Sequence, residues 1–278
     1  MRPVVALLTD FGGRDHYVGA VKGAVLSACP DAAIVDIAHE IPAHDVAEGS
    51  FCLGACYRTF PRGTVFVAVV DPGVGSQRRG IAVDVGAYRF VGPDNGIFTA
   101  VLALNAGARL RELTNAALHR HDVSATFHAR DVFAPVAGFL AKGGAFEELG
   151  AEASDPVLLA IGRPAREEDG EWAGEVIHID RFGNLTTSIS AADLDSALAA
   201  LGGDPTELVV VVEGTVLPLV HAYADVPDGE SCALMGSGGL LEIAANRWSA
   251  SQRLGAGRGA AVRLRRAASG GSAMLGSV

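Results

Sequence analysis

Over the first half of the chain, short apolar runs alternate with stretches of helical spacing. Val4 to Leu8, Ala33 to Ile37 and Thr64 to Val70 are four- to seven-residue apolar runs rich in β-branched residues, which read as strands. Between them, Tyr17 to Ala28 carries a helical period and is broken by Pro30-Asp31. Val46 to Phe60 does the same, with Asp45 placed to cap its start and Pro61 to stop it. Strand, helix, strand, helix, strand is the pattern of a parallel sheet covered on both faces. Ile81 to Val85 and the stretch from Tyr88 then continue as strands, and Ile97 to Leu104 as a helix. Ala108 to Leu113 reads as a short strand, and Val132 to Ala141 as a helix with Pro135 tolerated in its first turn.

Past Pro164 to Gly170, where charge rises and the periodicity stops, the helical spacing gives way to short strands. Trp172 to Ile179, Glu207 to Glu213, Thr215 to Val220, Ser231 to Met235, Leu240 to Ala245 and Ala261 to Leu264 are separated by turn residues, the pattern of a small antiparallel barrel or sandwich. The expected fold class is therefore α/β: an N-terminal parallel-sheet α/β domain over 1–164 and a C-terminal small antiparallel β-barrel domain over 171–265. Residues 266–278 are expected to be a flexible tail.

Composition narrows the function. With 49% hydrophobic residues the chain can bury a large core, and a formal net charge of −10 argues against a nucleic-acid partner. No apolar run approaches the roughly 20 residues of a membrane span, and Arg2-Pro3 leads into a strand rather than a cleavable leader, so a cytoplasmic protein without a membrane partner is expected. Cys29, Cys52, Cys56 and Cys232 show neither a disulfide framework nor a zinc spacing.

The chemistry-bearing residues gather where apolar strands end. Asp10 follows the first strand in a Gly-rich turn, His39-Glu40 follows the second, and Asp71 follows the third, with Arg78 and Arg79 in the same turn. In open α/β sheets that edge forms the ligand crevice. His128 precedes a helix start, where the positive end of the peptide dipoles favours a neutral imidazole. Carboxylates and imidazoles at strand ends also suit a divalent metal, which would use Asp10, His39, Asp71 and His128, although no compact ligand motif is present. A non-catalytic small-molecule sensor is a further reading of the same pocket.

Taken together, LLTDFG (Leu7 to Gly12), VVDPGVGSQRRG (Val69 to Gly80), GPDNG (Gly92 to Gly96), TFHARDVFAP (Thr126 to Pro135) and IDRFGNLTT (Ile179 to Thr187) resemble the S-adenosylmethionine hydroxide adenosyltransferases, relatives of the fluorinase and chlorinase enzymes. The resemblance implies hydrolysis of S-adenosylmethionine to adenosine and L-methionine, with the sulfonium compound as substrate and no cofactor or metal. It also implies a homotrimer whose active sites lie between the N-domain of one subunit and the C-domain of the next. The catalytic trio of the water-using members maps onto Asp71, Arg78 and His128, Arg78 rather than Arg79 following from the motif alignment. Asp10 matches a carboxylate that holds the ribose hydroxyls. His44, Thr126, Phe127 and Tyr223 match positions lining the nucleoside. Asp180 and Asn184 match the pair at the methionine end, and Ser237 and Asn246 fall on the barrel edge that binds the amino-acid tail and adenine. Of the trio, the imidazole has the ordinary pKa best suited to a base near neutrality, and which member takes the proton from water is open at this point.

Overall fold

The computed structural model describes residues 2–160, 162, 164–167, 171–201 and 208–266. The chain forms two compact units, one running to Leu159 and the other starting at Ala160. Part of the expected 164–170 linker, and nearly all of the expected tail over 266–278, lie outside the described residues.

The first unit is a seven-stranded sheet. Its elements are β1 (Val4–Thr9), α1 (Tyr17–Ala28), β2 (Ala33–Ala38), α2 (Val46–Cys56), β3 (Val65–Val69), β4 (Gly80–Asp84), β5 (Arg89–Pro93), α3 (Thr99–Ala103), β6 (Arg109–Glu112), α4 (Ala134–Ala141) and β7 (Glu152–Ala153), with sheet order β2-β1-β3-β5-β4-β6-β7. The expected parallel sheet is present for β2, β1, β3 and β5, whereas β4, β6 and β7 run antiparallel, making the sheet mixed. The physical reason is the short link from Val85 to Tyr88. It allows only a hairpin between β4 and β5, since a parallel return needs a crossover of a dozen residues.

Alternation along the central strands decides which helix covers which face. Val5, Leu7, Val65, Val67 and Val69 join residues of α1 and α4 in one core, while Ala6, Leu8, Phe66, Ala68 and Val70 join residues of α2 and α3 in the other. Val5 to Leu8 are fully buried, as expected of parallel strands covered on both sides. The chain passes from β1 to β2 on one side and then returns to place β3 on the other side of β1. The carboxyl ends of β1 and β3 therefore flank a point where the connections diverge, which opens a crevice.

The second unit contains β8 (Ala165–Arg166), β9 (Trp172–Ile179), β10 (Leu185–Ser190), α5 (Ala191–Leu201), β11 (Leu208–Val212), β12 (Thr215–Pro218), β13 (Ser231–Met235), β14 (Leu240–Ala245), α6 (Ala250–Leu254) and β15 (Ala261–Arg266). The order β12-β11-β15-β9-β10-β14-β13 is antiparallel throughout, and a bridge between Leu219 and Ala233 brings the two edges together into a nearly closed barrel. Four elements of this unit were not anticipated: β8, β10, α5 and α6. β10 lies within LTTSIS, a run whose alternate positions are polar, and α5 follows it directly, its start held by Asp193 Oδ2 accepting from Ser190 N at 2.9 Å. Among the described residues, no helix is long and apolar enough to cross a membrane. None of the four cysteines forms a disulfide among the described residues, and Cys29 and Cys232 are buried.

Candidate active site

Asp71 lies two residues beyond β3, at the same sheet end as Asp10, because Thr9 and Val69 are register partners. The loop after Asp71 turns back on itself, and Arg78 reaches its carboxylate through Nε, at 2.9 Å to Oδ1 and 3.0 Å to Oδ2, with Nη2 donating to Oδ2 as well. Arg78 Nη2 also contacts His128 Nδ1 at 3.0 Å. A guanidinium carries only donors, so Nδ1 is the acceptor and the neutral ring holds its proton on Nε2. The Asp71 and Arg78 side chains are only 5% and 11% exposed, and the guanidinium carbon lies 5.2 Å from the centroid of the buried Phe133 ring. Burial lowers the His128 pKa, and the Arg78 cation lowers it further, against the opposing pull of Asp71 and Asp131.

Two local devices bring His128 to Arg78. Gly75 has φ +78, and a Cβ there would stand 2.4 Å from the Ala125 carbonyl oxygen, so the loop carrying Arg78 lies directly against the backbone leading to Thr126, Phe127 and His128. The second device is the turn that follows. The expected helix over 132–141 is α only from Ala134; Ala129–Phe133 forms a single π-helical turn, with His128 at its start. Pro135 has no N–H to give the Asp131 carbonyl, which accepts instead from Arg120 N at 2.9 Å. The buried Asp131 carboxylate also accepts from Arg130 and from Ser124 N at 3.0 Å, pinning the loop that carries His128.

Beside the trio, Asp10 Oδ2 accepts from His44 N at 3.0 Å, and His44 takes a left-handed φ of +68 that presents its backbone to that carboxylate. Phe127 packs edge-on against Phe11 and Tyr17, with centroids at 6.0 and 5.4 Å. Sequence reasoning did not single out Phe11 or Tyr17, the rings that Phe127 meets; Phe11 sits inside the TDFG motif, which was the available signal. Thr126 is exposed, its hydroxyl 3.3 Å from that of Ser124. His39 does not join the other strand-end groups: its Nδ1 meets Thr9 Oγ1 at 2.8 Å and its Nε2 lies 3.0 Å from Asp36. Arg79 turns away from the trio to Asp94, Glu112 and Asp155, so the two adjacent arginines have different partners.

In the second unit, Asp180 and Asn184 share the turn between β9 and β10. Asp180 Oδ1 accepts from the backbone N–H groups of Phe182 and Asn184, and Oδ2 from Asn184 Nδ2 at 3.0 Å. Tyr223 donates to Glu242 Oε1 at 2.7 Å, and that bond, with burial and the nearby Asp180 charge, pushes the phenol pKa up to about 12. Glu242, unremarked in the sequence, lies on β14 with Thr186 and Leu234 as its register partners. Asn246 Nδ2 donates to the Val226 carbonyl at 2.8 Å and stands 3.3 Å from Asp228, so what this side chain can offer a ligand is its carbonyl oxygen. Ser237 is exposed in the turn between β13 and β14.

The comparisons with known proteins span both units. Residues 5–150 match the SAM hydroxide adenosyltransferase N-terminal domain, and residues 174–263 match the C-terminal domain. An (R)-S-adenosyl-L-methionine hydrolase of Thermus thermophilus is 41% identical over 95% of this chain and 100% of its own length. A fluorinase of Nocardia brasiliensis is 30% identical over 88% and 91%. A crystal structure of an uncharacterized conserved protein from Thermotoga maritima superposes with a TM-score of 0.86 at 36% identity, covering 94% of this chain and 100% of that one. With both domain matches in order along the chain, and relatives of this identity over its whole length, the chain belongs to the SAM hydroxide adenosyltransferase family.

Proposed function

We propose that this protein hydrolyses (R)-S-adenosyl-L-methionine to adenosine and L-methionine, with Asp71, Arg78 and His128 acting on the attacking water. The observation that carries the reading is the continuous, largely buried chain of contacts from Asp71 through Arg78 to His128 at the sheet's carboxyl edge. The (R) stereochemistry at sulfur follows the relatives in Thermus thermophilus and Salinispora tropica.

The water oxygen forms a bond to C5′ as the C5′–S bond breaks, its electron pair leaving with sulfur as a neutral thioether. The leaving group needs no acid, and the reaction draws on no cofactor. Water is the weak partner, with a pKa of about 15.7 in bulk, so orientation and removal of its proton are the protein's task. His128 in the tautomer set by Arg78 presents Nε2–H, which donates to the water oxygen and aims a lone pair at C5′. Asp71 Oδ1 receives one guanidinium hydrogen bond and retains acceptor capacity, so it takes the departing proton. As the C–O bond forms, the bound water becomes strongly acidic, and a carboxylate is then a sufficient base. Arg78 holds the two groups in register and keeps the Asp71 carboxylate aimed at the water.

Asp10 accepts from the ribose hydroxyls, Phe127 with His44, Thr126 and Tyr223 lines the nucleoside, and Asp180, Asn184, Ser237 and Asn246 receive the amino-acid end and the adenine. A cytoplasmic homotrimer, with each site completed by the barrel of a neighbouring subunit, gives the water-poor enclosure this charge-neutralising step favours. In the competing metal reading, Asp10, His39, Asp71 and His128 would have to converge, but His39 faces Asp36 and Thr9, and the Arg78 cation takes acceptor atoms of both Asp71 and His128.

The test is product identification from each sulfonium epimer of S-adenosylmethionine, with and without chloride or fluoride. Adenosine and methionine from the (R) epimer are expected under both conditions. A 5′-halogenated adenosine would overturn the assignment of water as nucleophile, and binding without turnover would leave a sensor.

A further inference from the structure

We propose that the GPDNG turn, Gly92 to Gly96, is a positioning element that sets the spacing of Asp71 and Arg78. This rests on the assignment of those two residues to the reaction. They bracket a six-residue, glycine-containing loop, Pro72 to Gln77, that is exposed over Gly75 to Gln77 and is closed from within by short turn bonds such as Val74 N to the Asp71 carbonyl at 3.2 Å, so the direction of its two ends is set from outside. Asp94 and Asn95 hold the chain just outside both ends. Asn95 Nδ2 donates at 2.8 Å to the carbonyl of Val70, the fully buried residue before Asp71. Asp94 N donates at 2.9 Å to the carbonyl of Arg79, the residue after Arg78, and the same carbonyl lies 3.4 Å from Arg78 Nη1.

The Asp94 carboxylate is 2% exposed and fixes the turn from the other side. Its Oδ2 accepts from Arg79 Nε at 3.0 Å and Nη2 at 2.6 Å, and its Oδ1 from Val157 N at 2.8 Å. Arg79 is thereby drawn away from the trio while Arg78 is turned into it. Two neighbouring residues of one turn hold both ends of the catalytic loop, Asn95 through its side-chain amide and Asp94 through its backbone N–H and through its carboxylate on Arg79. The Asp94 N bond extends the β4–β5 ladder one pair past Gly80 and Pro93, and the Asn95 side chain adds a reach to the end of β3 that this ladder does not supply.

Steady-state kinetics on the full chain, with thermal melts of each variant, tests this. Asn95→Ala and Asp94→Asn are expected to lower kcat by about tenfold or more with KM within about threefold, because substrate contacts stay intact while the reacting groups lose their spacing. Asp155→Ala, which removes only the exposed arm of the Arg79 network, should stay within about twofold. In an Arg78→Lys background the Asn95→Ala effect should shrink, since a loop whose guanidinium fork is already gone has less geometry to lose. Full kcat in folded Asn95→Ala and Asp94→Asn, or strictly additive losses with Arg78→Lys, would overturn the inference. If Asp94→Asn fails to fold, Asn95→Ala decides alone, as it removes only a neutral amide. Unchanged turnover in Arg78→Lys itself would overturn the catalytic assignment instead.

Discussion

Arg78 and Arg79 are neighbours with the same charge, yet one grips Asp71 and His128 while the other grips Asp94, Glu112 and Asp155. The motif alignment had favoured Arg78, and the contacts give each arginine a distinct duty. Arg78→Lys keeps the charge and loses the planar fork, so kcat for adenosine release should fall by about a hundredfold or more, with KM little changed. Asp71→Asn should fall at least as far, whereas Asp10→Ala should raise KM as well. The His128 tautomer gives a pH signature. Protonation of the ring removes the acceptor that Arg78 uses and sets two cations side by side, so kcat/KM should rise with pH through the His128 ionisation. Burial and Arg78 hold that ionisation below the ordinary histidine value of about 6.5. A pH-rate profile checks this, and His128→Ala should lack that acid limb.

At the scale of elements, two close approaches decide where the site residues stand. Gly138 in α4 lies so near α1 that a Cβ would meet the Ala28 Cβ at 2.6 Å and the Val25 carbonyl at 3.1 Å. Gly138→Val should therefore destabilise the protein by about 1–3 kcal/mol through overpacking, measured as a lowered urea midpoint, because neither neighbour can move without shifting α1. The π turn is the other. Asp131 is buried and its pKa stays below the usual carboxylate range: burial pushes it up, but Arg130, the Ser124 N–H and Arg120 outweigh that. Asp131→Ala leaves the Ser124 N–H without its acceptor while the partly exposed Arg120 and Arg130 turn to solvent, so a loss of about 1–3 kcal/mol is expected, along with activity, since the His128 loop loses its anchor.

For the whole molecule, the acid response follows from the same groups. His119 and His128 bind protons less readily in the folded state than in the unfolded chain, His119 through burial and the His128 charge, His128 through burial and Arg78. The unfolded state therefore takes up more protons as pH falls below about 6.5, and stability drops through that range. Asp131, and Asp36 beside Lys22 and His39, add a second loss near and below about 3.8, where they protonate in the unfolded chain first. Above neutrality these four groups contribute no slope. Urea unfolding at pH 5 and pH 7.5 should show the greater stability at pH 7.5, and His119→Gln should narrow the difference.

The sequence by itself determined most of the strands and helices and the ends at which chemistry collects, because those follow from short-range patterns of apolar spacing, capping and turn residues. β9, β13 and β14 have the bounds the alternation predicts, and α2 begins at the cap Asp45 provides. Its shared motifs also carried the family and the three residues of the trio. What only the tertiary structure decided was the π turn under His128, the tautomer of that ring and the parting of two adjacent arginines. Each depends on a partner far along the chain: Arg120 for the freed Asp131 carbonyl, Arg78 for His128 fifty positions on, Asp94 for Arg79. Local spacing carries no record of such partners, since hydrogen bonds between distant residues exist only once the core has brought their strands and loops together.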